Sequence, residues 1–165
     1  MAYFTKQEAY DSARKAKLST ETYSNKLESI VESQKYQYRF DVFLSHSVKD
    51  AEIVLCVVRI LEDMGQKVYV DWVVDQQLSR DSVTKETAET LRNRMNQSSR
   101  LLYLATDNAS SSKWMPWELG YFDGLKSGNV AILPLVDSAY SSFQGQEYLG
   151  LYPALGKDDL RRFLG

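Results

Sequence analysis

The stretch FDVFLSHSVKD, residues 40–50, changes from apolar to polar in its middle. Its first six residues form a short, mostly apolar run that is typical of a buried strand. Ser47 and Asp50 then have the spacing of a capping box, which predicts the start of a helix. Apolar residues follow at helical spacing and end before Gly65: Ile53, Val54, Val57, Val58, Leu61 and Met64. The stretch therefore predicts a buried strand that leads directly into an amphipathic helix.

This alternation of strand and helix continues to the end of the chain. Further runs of strand type are KVYVDW (67–72), RLLYLAT (100–106), VAILPLV (130–136) and, as a short fifth strand, EYLGLYP (147–153). Helices are predicted between the first four of the five strands, and a closing helix, KDDLRRFL, is predicted after Gly156. Strands that are apolar on both faces and separated by helices form a parallel sheet covered on both sides. We therefore predict a flavodoxin-like, doubly wound α/β fold with five parallel strands.

Polar side chains follow the predicted strands where a doubly wound sheet binds its ligands, beyond the carboxyl ends of the strands. The stretch SSSKWMPWELGYFDG, residues 110–124, starts near this edge and carries Glu118 among aromatic residues. Pro116 is tolerated only in the first turn, so the helix must begin just before it. Trp114 and Glu118 are four residues apart and share one helix face. We expect the following residues to converge at this edge: Ser45, His46, Ser47, Asp71, Trp72, Trp114 and Glu118.

Residues 1–38 have a different composition, rich in Lys, Glu, Ser and Tyr and without Gly or Pro. Thr5 and Glu8 form a capping box for one helix, and Ser19 or Thr20 is placed to cap a second. The apolar stripe of the second helix is thin. The sequence predicts a helical extension over residues 1–38 and a domain over residues 39–165. The extension either packs on the domain, with part of it frayed, or provides a helix for self-association or for a partner.

Composition excludes several classes of protein. The net charge of −2 on 165 residues argues against a nucleic-acid binder, which usually has a basic surface. The single cysteine excludes an internal disulfide, and a single histidine leaves no Cys/His zinc site, so no metal is expected. There is neither a signal peptide nor an apolar run of roughly 18 residues, so no membrane contact is expected. These features predict a soluble, cytoplasmic protein.

Motifs for the commonest sites of this fold class are absent. Neither GxGxxG nor GxxxxGK[ST] occurs, which disfavours a dinucleotide cofactor site and a P-loop. No GxSxG elbow occurs, which disfavours a Ser-His-Asp hydrolase. Ser45 or Ser47 is instead expected to cap the next helix, and His46 to line the cleft. A phosphoacceptor receiver domain would need an acidic pair where this chain has Ser45-His46-Ser47.

Four blocks of this sequence, in order, resemble the Toll/interleukin-1 receptor (TIR) domain: FDVFLSHSVKD, VYVDW, SRLLYLAT and SSSKWMPWELGYFDG. The resemblance covers roughly residues 39–164, and it is loose over 73–82 and beyond 137. It implies that the motif W-x-x-x-E, here Trp114 to Glu118, belongs to a bacterial enzyme that cleaves NAD+. It further implies that Glu118 is catalytic and that Trp114 is a wall of the substrate cleft. NAD+ is then the substrate, and no cofactor is expected.

A carboxylate suits this chemistry. Cleavage of nicotinamide from ribose passes through an oxocarbenium-like state, whose positive charge a fixed carboxylate stabilises. A glutamate can also hold the sugar through a ribose hydroxyl. Nicotinamide leaves as a neutral base, so no strong general acid is required. The sequence does not distinguish linear ADP-ribose from a cyclic isomer as the product.

The resemblance leaves three functions open. The first is an NAD-cleaving enzyme of antiphage defence, which signals to a separate effector protein through a nucleotide. The second is a scaffold that pairs with other TIR domains, and the third resembles a nucleoside 2-deoxyribosyltransferase. The resemblance also implies homo-oligomers in which neighbouring subunits complete the site and the polar loop 73–82 moves on assembly.

Overall fold

The computed structural model describes residues 1–15, 23–71 and 84–165 of the chain. The strands are β1 (Phe4–Thr5), β2 (Phe40–Ser45), β3 (Val68–Val70), β4 (Ser98–Ala105) and β5 (Val130–Val136). The helices are α1 (Lys6–Lys15), α2 (Tyr23–Gln34), α3 (Ala51–Asp63), α4 (Lys85–Asn96), α5 (Trp114–Leu125) and α6 (Lys157–Leu164). All strand pairs are parallel, in the order β1-β5-β4-β2-β3. The predicted five-stranded, doubly wound α/β fold is confirmed.

The sheet separates two apolar cores because successive residues of a strand point to opposite faces. In β2, Val42 and Leu44 pack in the core that includes α3 and α6. Phe43, between them, packs in the core that includes α4 and α5. The predicted end of α3 is also confirmed: the helix stops at Asp63, and Gly65 has a φ of 81°, which favours glycine.

The predicted strand over residues 147–153 is wrong. Residues Glu147–Leu151 form a short 3-10 helix, in which the backbone N–H of Leu149 donates to the carbonyl of Gln146 at 2.9 Å. Backbone groups of this segment therefore form hydrogen bonds within the segment itself. Beyond it, Ala154 pairs with β5 in an isolated bridge to Ile132. The fifth strand is β1, which pairs with the carboxyl half of β5.

The first segment of the extension is joined to the sheet and to α3. The Thr5–Glu8 capping box is confirmed: the N–H of Glu8 donates to Thr5 Oγ1 at 3.1 Å, and the N–H of Thr5 donates to Glu8 Oε2 at 2.8 Å. Lys157 forms an ion pair with Glu8, and Ala9 is buried with Cys56 of α3. The caps predicted at Ser19 or Thr20 lie outside the described residues.

The second helix of the extension reaches the opposite edge of the sheet. Gln34, at the end of α2, is buried, and its Nε2 donates to the carbonyl of Val68 at 2.6 Å. The N–H of Val70 donates to Gln34 Oε1 at 3.3 Å. The side-chain amide of Gln34 thus pairs with backbone groups of β3, which is the edge strand of the sheet in the described ranges. The boundary between residues 38 and 39 remains a prediction.

None of the helices in the described ranges is both long and apolar enough to cross a bilayer. The same ranges contain no group of three or more His, Cys, Asp or Glu residues that could hold a metal ion.

Candidate functional site

Ser45 and Glu118 meet beyond the carboxyl end of β2. Ser45 follows Phe43 by two residues and therefore faces α5. On α5, Glu118 belongs to the buried face that also carries Met115, Leu119 and Phe122. Ser45 Oγ donates a hydrogen bond to Glu118 Oε2 at 2.5 Å, and both residues are buried. Glu118 thus lies at a position that the helix pattern assigns to an apolar side chain. A carboxylate buried there requires a hydrogen-bond donor such as the Ser45 hydroxyl.

The start of α5 follows from its sequence. The helix begins at Trp114, so Pro116 lies in the first turn, as predicted. Ser112 Oγ accepts a hydrogen bond from the N–H of Met115 at 3.3 Å and caps this turn. Glu118 therefore lies one turn into the helix, close to the carboxyl edge of the sheet.

Tyr103 of β4 is a residue of this site that the sequence did not single out. It is opposite Ser45 in the parallel register and is fully buried. Burial raises the pKa of the Tyr103 phenol, and the neighbouring Tyr148 side chain and the charge of Glu118 add to the increase. The phenol therefore stays neutral. In the sequence, the signal for this residue was a tyrosine near the end of an otherwise apolar strand.

His46 is buried directly after β2 and carries no charge at neutral pH. Burial lowers the pKa of its imidazole to about 4, against an opposing effect of the Ser47 carbonyl, which lies 3.1 Å from Nδ1. Ser47 begins the short 3-10 turn Val48–Asp50, and its Oγ accepts from the N–H of Lys49 at 3.3 Å. Ser47 thus caps this turn, which precedes α3.

Asp50 joins the loop after β2 to the loop after β4. Its buried carboxylate accepts hydrogen bonds from Thr106 Oγ1 at 2.5 Å and from Asn108 Nδ2 at 2.7 Å. The sequence pattern assigned Asp50 to a capping box with Ser47, but its side chain points to β4 instead. The polar residues Thr106 and Asn108 directly after an apolar strand were the signal for this contact.

Three further residues were predicted for this site: Asp71, Trp72 and Trp114. Asp71 is buried directly after β3, whereas Trp72 lies outside the described residues. Trp114 packs edge-on against Trp117, with 5.4 Å between the ring centroids. The two indoles line a groove of about 350 Å³ between α4 and the start of α5, with Thr84, Lys85, Ala88, Arg92 and Lys113. Glu118 does not line this groove, so the role of Trp114 as a cleft wall remains a prediction.

A second cavity, of about 550 Å³, lies beyond the carboxyl ends of β4 and β5. Lys6 lines it and forms ion pairs with Asp107 at 2.8 Å and Asp137 at 3.2 Å. The hydrogen bond to Asp107 raises the pKa of Lys6, so its ammonium stays charged. Glu118 and Ser45 are not among the residues that line this cavity.

Comparison with known proteins gives one family and two relatives. The sequence model of the family described as TIR domain matches residues 42–162. A protein of Bacillus cereus (strain MSX-D12) named "Probable 3' cyclic ADP-D-ribose synthase ThsB'" is 52% identical over 119 residues, which are 72% of this chain and 61% of that protein. A protein of Cytobacillus dafuensis named "Putative cyclic ADP-D-ribose synthase TIR2" is 33% identical over 94 residues, 55% of this chain and 25% of that protein. The chain thus matches less than two thirds of the length of either relative.

Proposed function

The chain belongs to the TIR domain family, and from this premise we propose that it cleaves NAD+, releasing nicotinamide and forming a cyclic ADP-ribose. The observation that carries the proposal is the buried carboxylate of Glu118, held by the Ser45 hydroxyl beyond the carboxyl end of β2. Ligands of open α/β sheets bind at this edge. The names of the two relatives, both cyclic ADP-D-ribose synthases, support the same reaction class.

In this proposal Glu118 is the catalytic residue. As the bond between nicotinamide and ribose C1′ breaks, its electron pair leaves with the neutral base, and positive charge develops on the sugar. A carboxylate that is already fixed stabilises this charge without reorganising during the reaction. The Ser45 hydroxyl holds the carboxylate in place. Ser45, His46, Ser47, Asp71, Trp72 and Trp114 are proposed to contact the substrate.

The product depends on the group that captures C1′. Water would give linear ADP-ribose, whereas a hydroxyl of the second ribose of the same molecule would give a cyclic isomer with loss of a proton. We favour the cyclic product because the Bacillus cereus relative, 52% identical over the matched region, is named as a 3′ cyclic ADP-D-ribose synthase. A neutral His46 suits such a site, since it adds no positive charge to repel the nicotinamide-bearing ribose.

Biologically, we propose that the protein acts in antiphage defence in the cytoplasm and signals to a separate effector through its product. We also propose that TIR–TIR contacts in a homo-oligomer complete the site. Specific activity should then rise steeply with protein concentration. If it is independent of concentration over two orders of magnitude, assembly is not required.

Incubation of the purified protein with NAD+ tests the function. Nicotinamide should be released together with a product that has the mass of cyclic ADP-ribose, which is one water lighter than linear ADP-ribose. If linear ADP-ribose is the sole product, the protein is a glycohydrolase and not a cyclase. If no nicotinamide appears at any concentration, a TIR scaffold or a deoxyribosyltransferase-like enzyme becomes the better explanation. Transfer of a base between deoxynucleosides would distinguish the latter.

A further inference from the structure

We propose that Asp50 is a positioning residue for Glu118: it ties the loop after β2 to the loop after β4 and thereby holds the Ser45–Glu118 contact. This inference rests on the proposed function for its kinetic consequences. Three side chains form this connection: Asp50, Thr106 and Asn108. Asp50 is only 3% exposed, and its two carboxylate oxygens accept from Thr106 and from Asn108, respectively.

The partners of Asp50 control the path of the chain into α5. Thr106 is the first residue after β4, and its Oγ1 also accepts from the N–H of Asn108 at 3.3 Å. The carbonyl of Asn108 accepts from Ser111 Oγ at 2.8 Å, within the short 3-10 helix Ala109–Ser111 that precedes α5. Asp50 therefore holds the first residues of the loop that leads into α5, the helix that carries Glu118.

Asp50 also fixes the chain that carries Ser45. It is the last residue of the 3-10 turn Val48–Asp50, five residues after Ser45. The helices α3 and α5 lie on opposite faces of the sheet, so the chain leaves β2 and β4 in opposite directions. Without a tie, the two loops can separate at this point. Asp50 joins the two loops by two hydrogen bonds, and the Ser45–Glu118 hydrogen bond joins β2 to α5.

Two neutral side chains, Thr106 and Asn108, donate to the Asp50 carboxylate. Among the described residues no lysine or arginine forms an ion pair with it, and hydrogen bonds to an ionised acceptor are stronger than those between neutral groups. An Asp50→Asn substitution preserves the shape but leaves a single acceptor oxygen, so Thr106 and Asn108 can no longer donate to separate oxygens as they do to the carboxylate. The substitution should therefore loosen the tie without creating a cavity.

His46 reports on the tie independently of activity. It lies between Ser45 and Asp50 and is the single histidine of the chain, so its ring gives one set of NMR signals. Burial lowers its pKa to about 4, while the charge of Asp50 acts in the opposite direction. Removing that charge from an unchanged loop would lower the pKa further. Loosening the loop would admit water and raise the pKa towards its ordinary value, so the two effects have opposite signs.

The experiment compares the full chain with Asp50→Asn, with the reciprocal swap Asp50→Asn/Asn108→Asp, and with Asp63→Asn as an exposed control of the same chemistry. In Asp50→Asn we expect kcat to fall by about tenfold to a hundredfold, as for small misplacements of a catalytic group. KM should change little, and the His46 pKa should rise. The swap restores a carboxylate–amide pair and should recover most of kcat, while Asp63→Asn should match the wild type.

A kcat and a His46 pKa that are unchanged in Asp50→Asn would overturn the inference. Failure of the swap to recover kcat in a folded protein would also overturn it, because the charge at position 50 itself would then be needed. If Asp50→Asn does not fold, Thr106→Val and the conservative Thr106→Ser give the same comparison: only Thr106→Val should lose kcat. If the wild type does not cleave NAD+, the proposed function fails, and the His46 titration still tests the tie.

Discussion

The Ser45 hydroxyl donates to the Glu118 carboxylate at 2.5 Å, although 73 positions separate the two residues in the sequence. Each belongs to an otherwise apolar face: Ser45 follows Phe43 on β2, and Glu118 lies between Met115 and Phe122 on α5. A buried carboxylate with a fixed donor suits a site where positive charge develops during a reaction.

Glu118→Gln preserves the shape of the side chain and removes its negative charge. Turnover of NAD+ should fall by about a hundredfold to a thousandfold, because one electrostatic contact to a transition state contributes about 3–4 kcal/mol. The thermal midpoint should change little. Glu89→Gln, an exposed change of the same type on α4, is the matched control. Wild-type turnover in Glu118→Gln would show that Glu118 is not the catalytic residue.

Ser45→Ala removes this hydroxyl donor but leaves the buried carboxylate in place. We expect the free energy of unfolding to fall by about 2 kcal/mol, as for loss of a hydrogen bond to a charged group. Turnover should fall by less than in Glu118→Gln, since the charge remains. Denaturant titration and steady-state kinetics measure the two effects. Ser99→Ala, at an exposed position of β4, is the control, and equal stabilities of the two variants would contradict the prediction.

The burial of His46 predicts a loss of stability in mild acid. The pKa is about 4 in the folded protein and near 6.5 in the unfolded chain, so between these values the unfolded state binds more protons. Stability is complete above about pH 6.5 and decreases as the pH falls, by about 2.5 kcal/mol at pH 4.5. Denaturation of the wild type and of His46→Gln at pH 7 and 4.5 isolates this effect. If both proteins lose the same free energy, His46 is not buried as a neutral group.

Gln34 should stabilise the edge of the sheet. Gln34→Met keeps the size of the side chain but leaves the Val68 carbonyl and the Val70 N–H without the Gln34 amide. We expect a loss of about 2–3 kcal/mol and more self-association, because an uncovered edge strand can pair with another chain. Chemical denaturation and light scattering test both effects, with the exposed Gln37→Met as control. An unchanged unfolding free energy would mean that the edge does not need this amide.

The sequence alone was sufficient to predict the strands β2 to β5, the end of α3 before Gly65 and the Thr5–Glu8 cap. These features depend on residues that are neighbours in the chain, so their periodicity and spacing are visible without a structure. The same blocks of sequence led to the TIR family, which the match over residues 42–162 confirms.

Only the tertiary structure decided which separated groups meet. The strand Phe4–Thr5 is too short to be recognised from sequence. It pairs with the carboxyl half of β5 because residues 147–151 form a 3-10 helix and leave that edge of β5 open. Asp50 has the spacing of a local cap, yet its carboxylate binds Thr106, 56 positions away. A buried polar group binds whichever donor the packing brings to it, and that depends on the crossing of whole elements, which no local pattern records.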